Sequence, residues 1–250
     1  MPKAKPTAAG AVPPPPAPPS LDARYWPNIV RQDLNPSQPE FIVALRNFLA
    51  PHECRALCDF IDRAPLANSS AADRQPKKGE AYLDRQSLAL VDEALSTAIW
   101  RRLRPHLPDP LDGRTPVGLH GDGRRGAASQ LKFYRYLRGH RFGQHVDQSW
   151  RGESIDETTE YTLLIYLNTA GGEARWEGQP LVGGDTVFHA TAKTECARVS
   201  PEAGMALLHA HGRRCLMHEA EEVTRGAKYL LRADVMYRRV RGPDRIDRIV

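Results

Sequence analysis

Several features that define whole classes of proteins are missing from this sequence of 250 residues. It has no run of about 18 apolar residues, so no transmembrane helix is expected, and it lacks the repeats of collagen and coiled coils. Aromatic residues make up only 7%, and the basic residues gather near the C-terminus, which disfavours a nucleic-acid-binding surface. Its four cysteines form no C-x-x-C pair, so neither a zinc ribbon nor a disulfide scaffold is indicated.

The composition predicts one folded domain with tails at both ends. Hydrophobic residues make up 41% and charged residues 26%, as in globular domains. Eight of the 21 prolines lie within residues 1–20, so we expect a disordered tail over residues 1–35, a domain over 36–240 and a basic tail over 241–250. The tail lacks the apolar segment of a secretory signal, which favours a cytoplasmic location, with an organellar transit peptide as the alternative.

The first half of the domain has helical patterns. Residues 41–45 read as a strand, and a helix follows from Pro51, a residue type that is favoured in the first helical turn. Cysteine, leucine and isoleucine recur in this helix at steps of three and four residues and predict a buried face. A second helix, ending before Pro105, is predicted from apolar residues at similar spacing, which are Leu88, Val91, Leu95, Ile99 and Leu103. Residues 105–128 are rich in glycine, proline, aspartate and arginine, and we interpret them as a long loop.

After residue 129 the pattern changes to short β-type segments that are separated by glycine-rich turns. They cover residues 131–136, 161–167, 174–176, 186–188, 196–199, 205–208 and 228–237. Many short strands at close spacing indicate a sandwich or barrel rather than alternating β-α units. The sequence therefore predicts helices first and a β sandwich after them.

Histidines and one aspartate form the strongest chemical pattern. His145 and Asp147 are two residues apart on a predicted strand, where both side chains leave the same face and can reach one ion. A third ligand must come from elsewhere, and His218 lies near the end of another β segment. Two histidines and one carboxylate form the facial triad of non-haem iron(II), which leaves three coordination positions open.

Other histidines offer alternative metal sites. His120 and Asp122 repeat the H-x-D spacing, but they lie among glycines and arginines in a predicted loop. His209 and His211 are also two residues apart, and with His218 they predict a three-histidine zinc site and a zinc hydrolase. The spacing alone does not choose between this set and the iron triad.

The sequence around His145 resembles the iron- and 2-oxoglutarate-dependent dioxygenases of the prolyl 4-hydroxylase group. That family has a tyrosine, a glycine-containing turn, an aromatic residue and then H-x-D, as in residues 134–147 here. Further pieces of the pattern follow in the family's order at residues 162–168, 171–176, 199–207, 218–219 and 223–229. The likeness covers roughly residues 40–238, and it departs at Ala174 and Trp176, where the family often has threonine and phenylalanine.

The resemblance implies a mainly β fold with flanking helices around a double-stranded β-helix, which is the jelly-roll or cupin-like core. It implies Fe²⁺ on His145, Asp147 and His218. It also implies that 2-oxoglutarate is bound by a basic residue ten positions after the distal histidine, which is Lys228. Arg232 lies on the same face of that strand and is the rival anchor. Three further residues are implied at the co-substrate, namely Tyr136, Thr162 and Tyr166.

The implied reaction is hydroxylation of a C–H bond, which consumes O₂ and 2-oxoglutarate, releases succinate and CO₂, and uses ascorbate to restore the iron. A prolyl or other side chain of a protein or peptide is the expected substrate. A small molecule or a nucleobase is the alternative, and so is a binding module of the same fold without activity, because fold and triad do not select the substrate. No membrane partner is expected, and the sequence predicts no oligomeric state.

Overall fold

The structure is a computed structural model, and it describes residues 16–22, 24–38, 41–69, 77, 80–120 and 130–240. The two helices are α1 (Pro51–Arg63) and α2 (Glu93–Leu103). The strands of the first half are β1 (Val30–Asp33), β2 (Ile42–Arg46), β3 (Ala67–Ser69), β4 (Arg85–Val91), β5 (Arg114–His120), β6 (Gln130–Leu137) and β7 (Phe142–His145). Those of the second half are β8 (Glu157–Tyr166), β9 (Val182–Gly183), β10 (Thr186–Thr191), β11 (Thr194–Val199), β12 (Ala206–Ala210), β13 (Met217–Ala220), β14 (Val223–Arg225) and β15 (Ala227–Arg239).

Local side-chain contacts fix where each helix begins. α1 begins at Pro51, and the Glu53 carboxylate accepts a hydrogen bond from the backbone N–H of Ala50 at 2.9 Å. α2 is capped by Asp92, whose carboxylate accepts a hydrogen bond from the N–H of Leu95 at 2.8 Å. Both helices bury their apolar faces in one core cluster with residues of the large sheet.

The large sheet has nine strands, in the order β1-β2-β12-β8-β15-β6-β4-β3, with β5 paired to the far end of β15. Strands β2 and β12 are buried on both faces, so their sequences are mostly apolar rather than alternating. In β2, Val43 and Leu45 belong to the cluster that includes the helices, whereas Ile42 and Ala44 belong to a second cluster on the other face. The sheet therefore separates two cores.

The second core lies between the large sheet and a smaller one. The smaller sheet has the order β11-β10-β13-β7, and Phe188 of β10 and Val199 of β11 pack in one cluster with Tyr166 and Leu230 of the large sheet. All pairings in both sheets are antiparallel. Two facing antiparallel sheets with helices packed on the outside form the mainly β, jelly-roll arrangement that the sequence predicts.

Several predicted elements were wrong. Leu88 and Val91 lie in strand β4, because this segment pairs with β6, and the second helix begins only at Glu93. The predicted loop over residues 105–128 contains β5, which pairs with β15. Residues 174–176 form no strand, and Trp176 makes only an isolated bridge to Gln179.

The N-terminal tail boundary also differs from the prediction. Residues 30–33 form β1 at the edge of the large sheet, so they do not belong to a disordered tail. Leu21 is buried in the helical core, and the N–H of Asp22 donates to Glu53 at 3.0 Å. The predictions for residues 1–15 and for the basic tail at 241–250 lie outside the described residues. Within the described part, neither helix has the length and apolarity needed to cross a membrane.

Candidate active site

Three side chains meet between the two sheets at the end of the smaller one. His145 is the last residue of β7, and His218 lies directly opposite it on β13. Asp147 follows just beyond the end of β7 rather than on a continuing strand, and its Oδ1 lies 3.8 Å from Nε2 of His145. One donor atom from each of the three lies within 4.8 Å of the others. The structure thus brings together the three residues that the sequence predicts as iron ligands.

Backbone carbonyls orient both imidazoles. Nδ1 of His145 lies 2.8 Å from the carbonyl oxygen of Gly143, and Nδ1 of His218 lies 3.0 Å from that of Leu216. Each Nδ1–H therefore donates to a carbonyl, which leaves the Nε2 lone pair free to bind a metal. The ring of Phe142 stacks on His145 with the centroids 3.6 Å apart and holds its plane.

The protonation states suit a divalent cation. Burial and the neighbouring His218 lower the pKa of His145 to about 4, and burial also lowers the pKa of His218. Burial alone would raise the pKa of Asp147, but the Arg232 guanidinium and the adjacent imidazoles hold it well below its usual range. At neutral pH the cluster therefore consists of two neutral imidazoles and one carboxylate. This donor set fits Fe²⁺.

Thr162 and Arg232 contact Asp147. The Thr162 hydroxyl donates to Oδ2 of Asp147 at 2.5 Å, and Arg232 donates to the same oxygen at 3.1 Å. Arg232 also contacts the buried Asp234 at 3.2 Å. Both residues were predicted at the co-substrate. In the structure Thr162 positions Asp147 and the charge of Arg232 is paired with two carboxylates, while their contact with the co-substrate stays a prediction.

A small cavity of about 40 Å³ adjoins the triad between the sheets. Lys228 lines it and is only 1% exposed, and its Nζ donates to the carbonyl oxygen of Gly184 at 2.5 Å. Nζ also lies 5.7 Å from the ring centroid of Tyr136 and 5.4 Å from that of Tyr166. Burial lowers the pKa of Lys228 to about 7, because its nearest carboxylates, Asp185 and Glu221, offset the loss of hydration only in part. A carboxylate that enters this cavity would restore the charged form.

The two predicted tyrosines differ in position. Tyr136 lines the cavity itself. Tyr166 is fully buried beside it, and its hydroxyl donates to Oγ1 of Thr186 at 2.7 Å. Burial raises the pKa of Tyr166, so the hydroxyl keeps its proton and remains a donor.

Arg85 and Thr186 also line the cavity and were not predicted from the sequence. The guanidinium of Arg85 lies over the ring of Tyr134 at 3.9 Å and 5.6 Å from the ring centroid of Phe142. Arg85 was overlooked because its segment was assigned to a helix. If β4 had been predicted as a strand beside β6, Arg85 would have been expected near Tyr134 and Tyr136 of β6.

The sequence also offered two alternative metal sites, and the structure describes only one of them in full. Nδ1 of His211 lies 3.0 Å from the hydroxyl of Thr159, and its Nε2 lies 2.5 Å from that of Thr162, so both ring nitrogens are engaged. The predicted zinc set of His209, His211 and His218 is therefore not formed. His120 is the last residue of β5, where it lies opposite Asp234 of β15. Asp122, its H-x-D partner, lies outside the described residues.

Comparisons with known proteins cover the part of the chain that forms this site. Residues 131–233 match the sequence model of the 2OG-Fe(II) oxygenase superfamily. This segment begins in β6 and ends in β15, and it contains all three residues of the triad. No curated protein matches the chain. Proteins of this superfamily use Fe²⁺ as cofactor and 2-oxoglutarate and O₂ as co-substrates.

Solved structures share the fold. One is the viral collagen prolyl hydroxylase of Paramecium Bursaria Chlorella virus-1 in complex with 2OG, at 15% identity and a TM-score of 0.51, over 79% of this chain and 96% of that one. Another is a prolyl hydroxylase from Trichoplax adhaerens in complex with a peptide of the hypoxia inducible factor oxygen degradation domain. It has 16% identity and a TM-score of 0.52, over 80% of this chain and 84% of that one. The double-stranded β-helix predicted for the core is confirmed.

The sequence match and the shared fold lead to the same assignment. Residues 131–233 thus resemble the 2OG-Fe(II) oxygenase superfamily in sequence, and the fold of the chain is shared with solved prolyl hydroxylases.

Proposed function

We propose that this protein hydroxylates a C–H bond in a side chain of a protein or peptide, with a prolyl residue as the first candidate. His145, Asp147 and His218 bind Fe²⁺, and Lys228 binds the distal carboxylate of 2-oxoglutarate. The observation that carries the proposal is the position of the three donor side chains beside a cavity that is lined by the buried Lys228. With its co-substrates, the bound iron supplies the oxidising chemistry, and ascorbate keeps it ferrous.

Lys228 is a better anchor for 2-oxoglutarate than Arg232, because the charge of Arg232 is already paired with carboxylates of the protein. The guanidinium of Arg232 lies near Oδ2 of Asp147 and Oδ1 of Asp234, so its charge is compensated within the protein. The hydrogen-bond acceptor of Lys228 in the described part of the chain is a backbone carbonyl, which compensates no charge. A dicarboxylate supplies the missing counter-charge, and an ammonium–carboxylate hydrogen bond is stronger than a neutral one.

Residues of the protein also prepare the site for the reaction. The carbonyls of Gly143 and Leu216 hold the two imidazoles in the ligating tautomer. Thr162 and Arg232 fix Oδ2 of Asp147 and keep the carboxylate ionised. Lys228 and Tyr166 are fully buried, so a bound carboxylate would be shielded from water and its attraction to Lys228 strengthened.

The surface near the ligands supports a peptide substrate. Val146 lies between the two ligands of the H-x-D pair and is 41% exposed, and Met217, next to His218, is 37% exposed. Trp150 follows closely and is 48% exposed. Exposed apolar side chains so close to a polar site indicate contact with an apolar group such as a pyrrolidine ring. The two structural neighbours described above are prolyl hydroxylases, which makes prolyl peptides the first substrates to test.

The first test is succinate formation from 2-oxoglutarate by purified protein with Fe²⁺, ascorbate and O₂, with and without a proline-rich peptide. We expect succinate that increases with the peptide, and a peptide mass increased by one oxygen atom. The matched control is Asp147→Ala, which we expect to bind Fe²⁺ roughly 100-fold more weakly or worse and to give no succinate. Wild-type activity in this variant would overturn the triad. Turnover that only small molecules or nucleobases stimulate would reject the peptide substrate and keep the oxygenase.

A further inference from the structure

His209 is a buried imidazole that has no hydrogen bond within the described part of the chain. It lies on β12, next to the triad, and is 2% exposed. Neither Nδ1 nor Nε2 has a hydrogen-bond partner there. Its ring centroid lies 4.4 Å from that of His218, and Nε2 lies 3.8 Å from Oδ2 of Asp147. Since burying a polar group without a partner is unfavourable, this imidazole indicates a ligand.

A cysteine thiol faces the same space. Cys215 follows the short 3-10 turn Gly212–Arg214, and its Sγ lies 3.9 Å from Nδ1 of His218. The N–H of Asp147 donates to this sulfur at 3.2 Å, a hydrogen bond of the kind that surrounds ligands of metal ions. One donor atom each from His209, Cys215 and His218 lies within 4.8 Å of the others.

We propose that His209, Cys215 and His218 form a second metal site, which binds a thiophilic divalent cation such as Zn²⁺ and shares His218 with the iron triad. Zn²⁺ takes tetrahedral sets of nitrogen, sulfur and carboxylate ligands, with bonds of about 2.0 to 2.3 Å and hence neighbouring donors about 3.4 Å apart. The three donor atoms lie within 4.8 Å of one another, so they need to approach by at most about 1.4 Å to reach this value. Oδ2 of Asp147 is placed to supply the fourth donor.

The two sites differ in the ions that they select. The iron triad offers nitrogen and oxygen donors and leaves positions open, whereas the second site adds a soft sulfur donor and is closed when Asp147 joins it. A neutral imidazole has one lone pair, so His218 serves one ion at a time. Zn²⁺ at the second site therefore removes a ligand from Fe²⁺. The inference does not depend on the proposed reaction, because it concerns metal binding only.

Cobalt provides a test that is independent of turnover. Co²⁺ bound by a thiolate has a near-ultraviolet charge-transfer band that nitrogen and oxygen ligands do not produce. Metal-free wild-type protein titrated with Co²⁺ should show this band, and Zn²⁺ should remove it. Cys215→Ser should lose the band, whereas His145→Ala should keep it, because His145 belongs only to the iron triad. Cys196→Ser, at a half-buried position on β11, is the matched cysteine control and should also keep it.

A second measurement needs no variant. X-ray absorption of zinc-loaded wild-type protein should show one sulfur among the neighbours of the ion, and His209→Leu should bind Zn²⁺ at least about tenfold more weakly. A zinc environment of nitrogen and oxygen alone would overturn the proposal. So would a cobalt band that persists in Cys215→Ser, or a wild-type protein that shows no band.

Discussion

His145 and His218 lie directly opposite each other on two antiparallel strands, with their ring centroids 4.2 Å apart. The register of β7 against β13 therefore sets the distance between the two imidazoles. Asp147, by contrast, lies beyond the strand and is held by contacts with β8 and β15. Backbone pairing thus fixes one part of the triad, and side-chain hydrogen bonds fix the other.

Thr162→Val tests the side-chain part of this arrangement. The substitution preserves the shape of the residue but removes the hydroxyl that links Asp147 to His211. We expect Fe²⁺ affinity to fall about tenfold, because groups that orient a metal ligand contribute on this scale. Isothermal titration with Fe²⁺ under anaerobic conditions measures the effect. The control is Thr194→Val at an exposed position on β11, which should leave the affinity unchanged.

Lys228→Met should weaken the binding of 2-oxoglutarate. Loss of a charge-assisted hydrogen bond is expected to cost about 1.5 to 3 kcal/mol, or roughly 10- to 100-fold in Kd. Quenching of tryptophan fluorescence by 2-oxoglutarate in the anaerobic Fe²⁺ protein measures Kd. Lys193→Met, in an exposed turn, is the charge-matched control. Equal affinities for Lys228→Met and wild type would transfer the anchor to another cation, and Arg232→Met would then be the variant to test.

Binding of 2-oxoglutarate should depend on pH. Burial lowers the pKa of free Lys228 to about 7, and a bound carboxylate raises it, so binding takes up a proton once the pH exceeds about 7. The affinity should therefore be constant at lower pH and fall by up to about tenfold per pH unit above 7. His145 and His218 are already neutral in this range because their pKa values are lowered. The Lys228→Arg variant stays charged, so a pH dependence as steep as that of wild type would rule out Lys228 as its cause.

Arg102→Met should destabilise the fold without altering the candidate active site. Arg102 forms a two-pronged ion pair with Glu53 at 2.8 Å for each contact, and the two side chains are 3% and 1% exposed. Removing one partner leaves a buried charge, and we expect a loss of about 3 to 5 kcal/mol in the free energy of unfolding. Urea denaturation measures it, with Arg101→Met on the exposed side of α2 as the control. A loss of unfolding free energy smaller than that of Arg101→Met would show that water reaches the Arg102–Glu53 pair.

The fold class was predictable because the strands after residue 129 carry their own turn signals. β4 was not, because Leu88 and Val91 also fit a helical spacing that continues into α2, and only the pairing with β6 makes the segment a strand. The three triad residues could be predicted to lie together because H-x-D and the distal histidine occur in recognisable sequence contexts, and the structure brings them together. No local sequence pattern records the contacts of Thr162 and Arg232 with Asp147, because these are relations through space. The same holds for the ring nitrogens of His209, which have no hydrogen-bond partner among the described residues.

Strand β15 is the longest of the described strands, and it pairs with β5, β6 and β8. It carries Lys228 and Arg232, yet it is made after every strand with which it pairs. Contacts of such long sequence separation form slowly, so closure of the large sheet should be a late event in folding. A nascent chain that already contains His145, Asp147 and His218 therefore still lacks the strand that completes their environment. Iron is expected to bind tightly only after synthesis has passed residue 239.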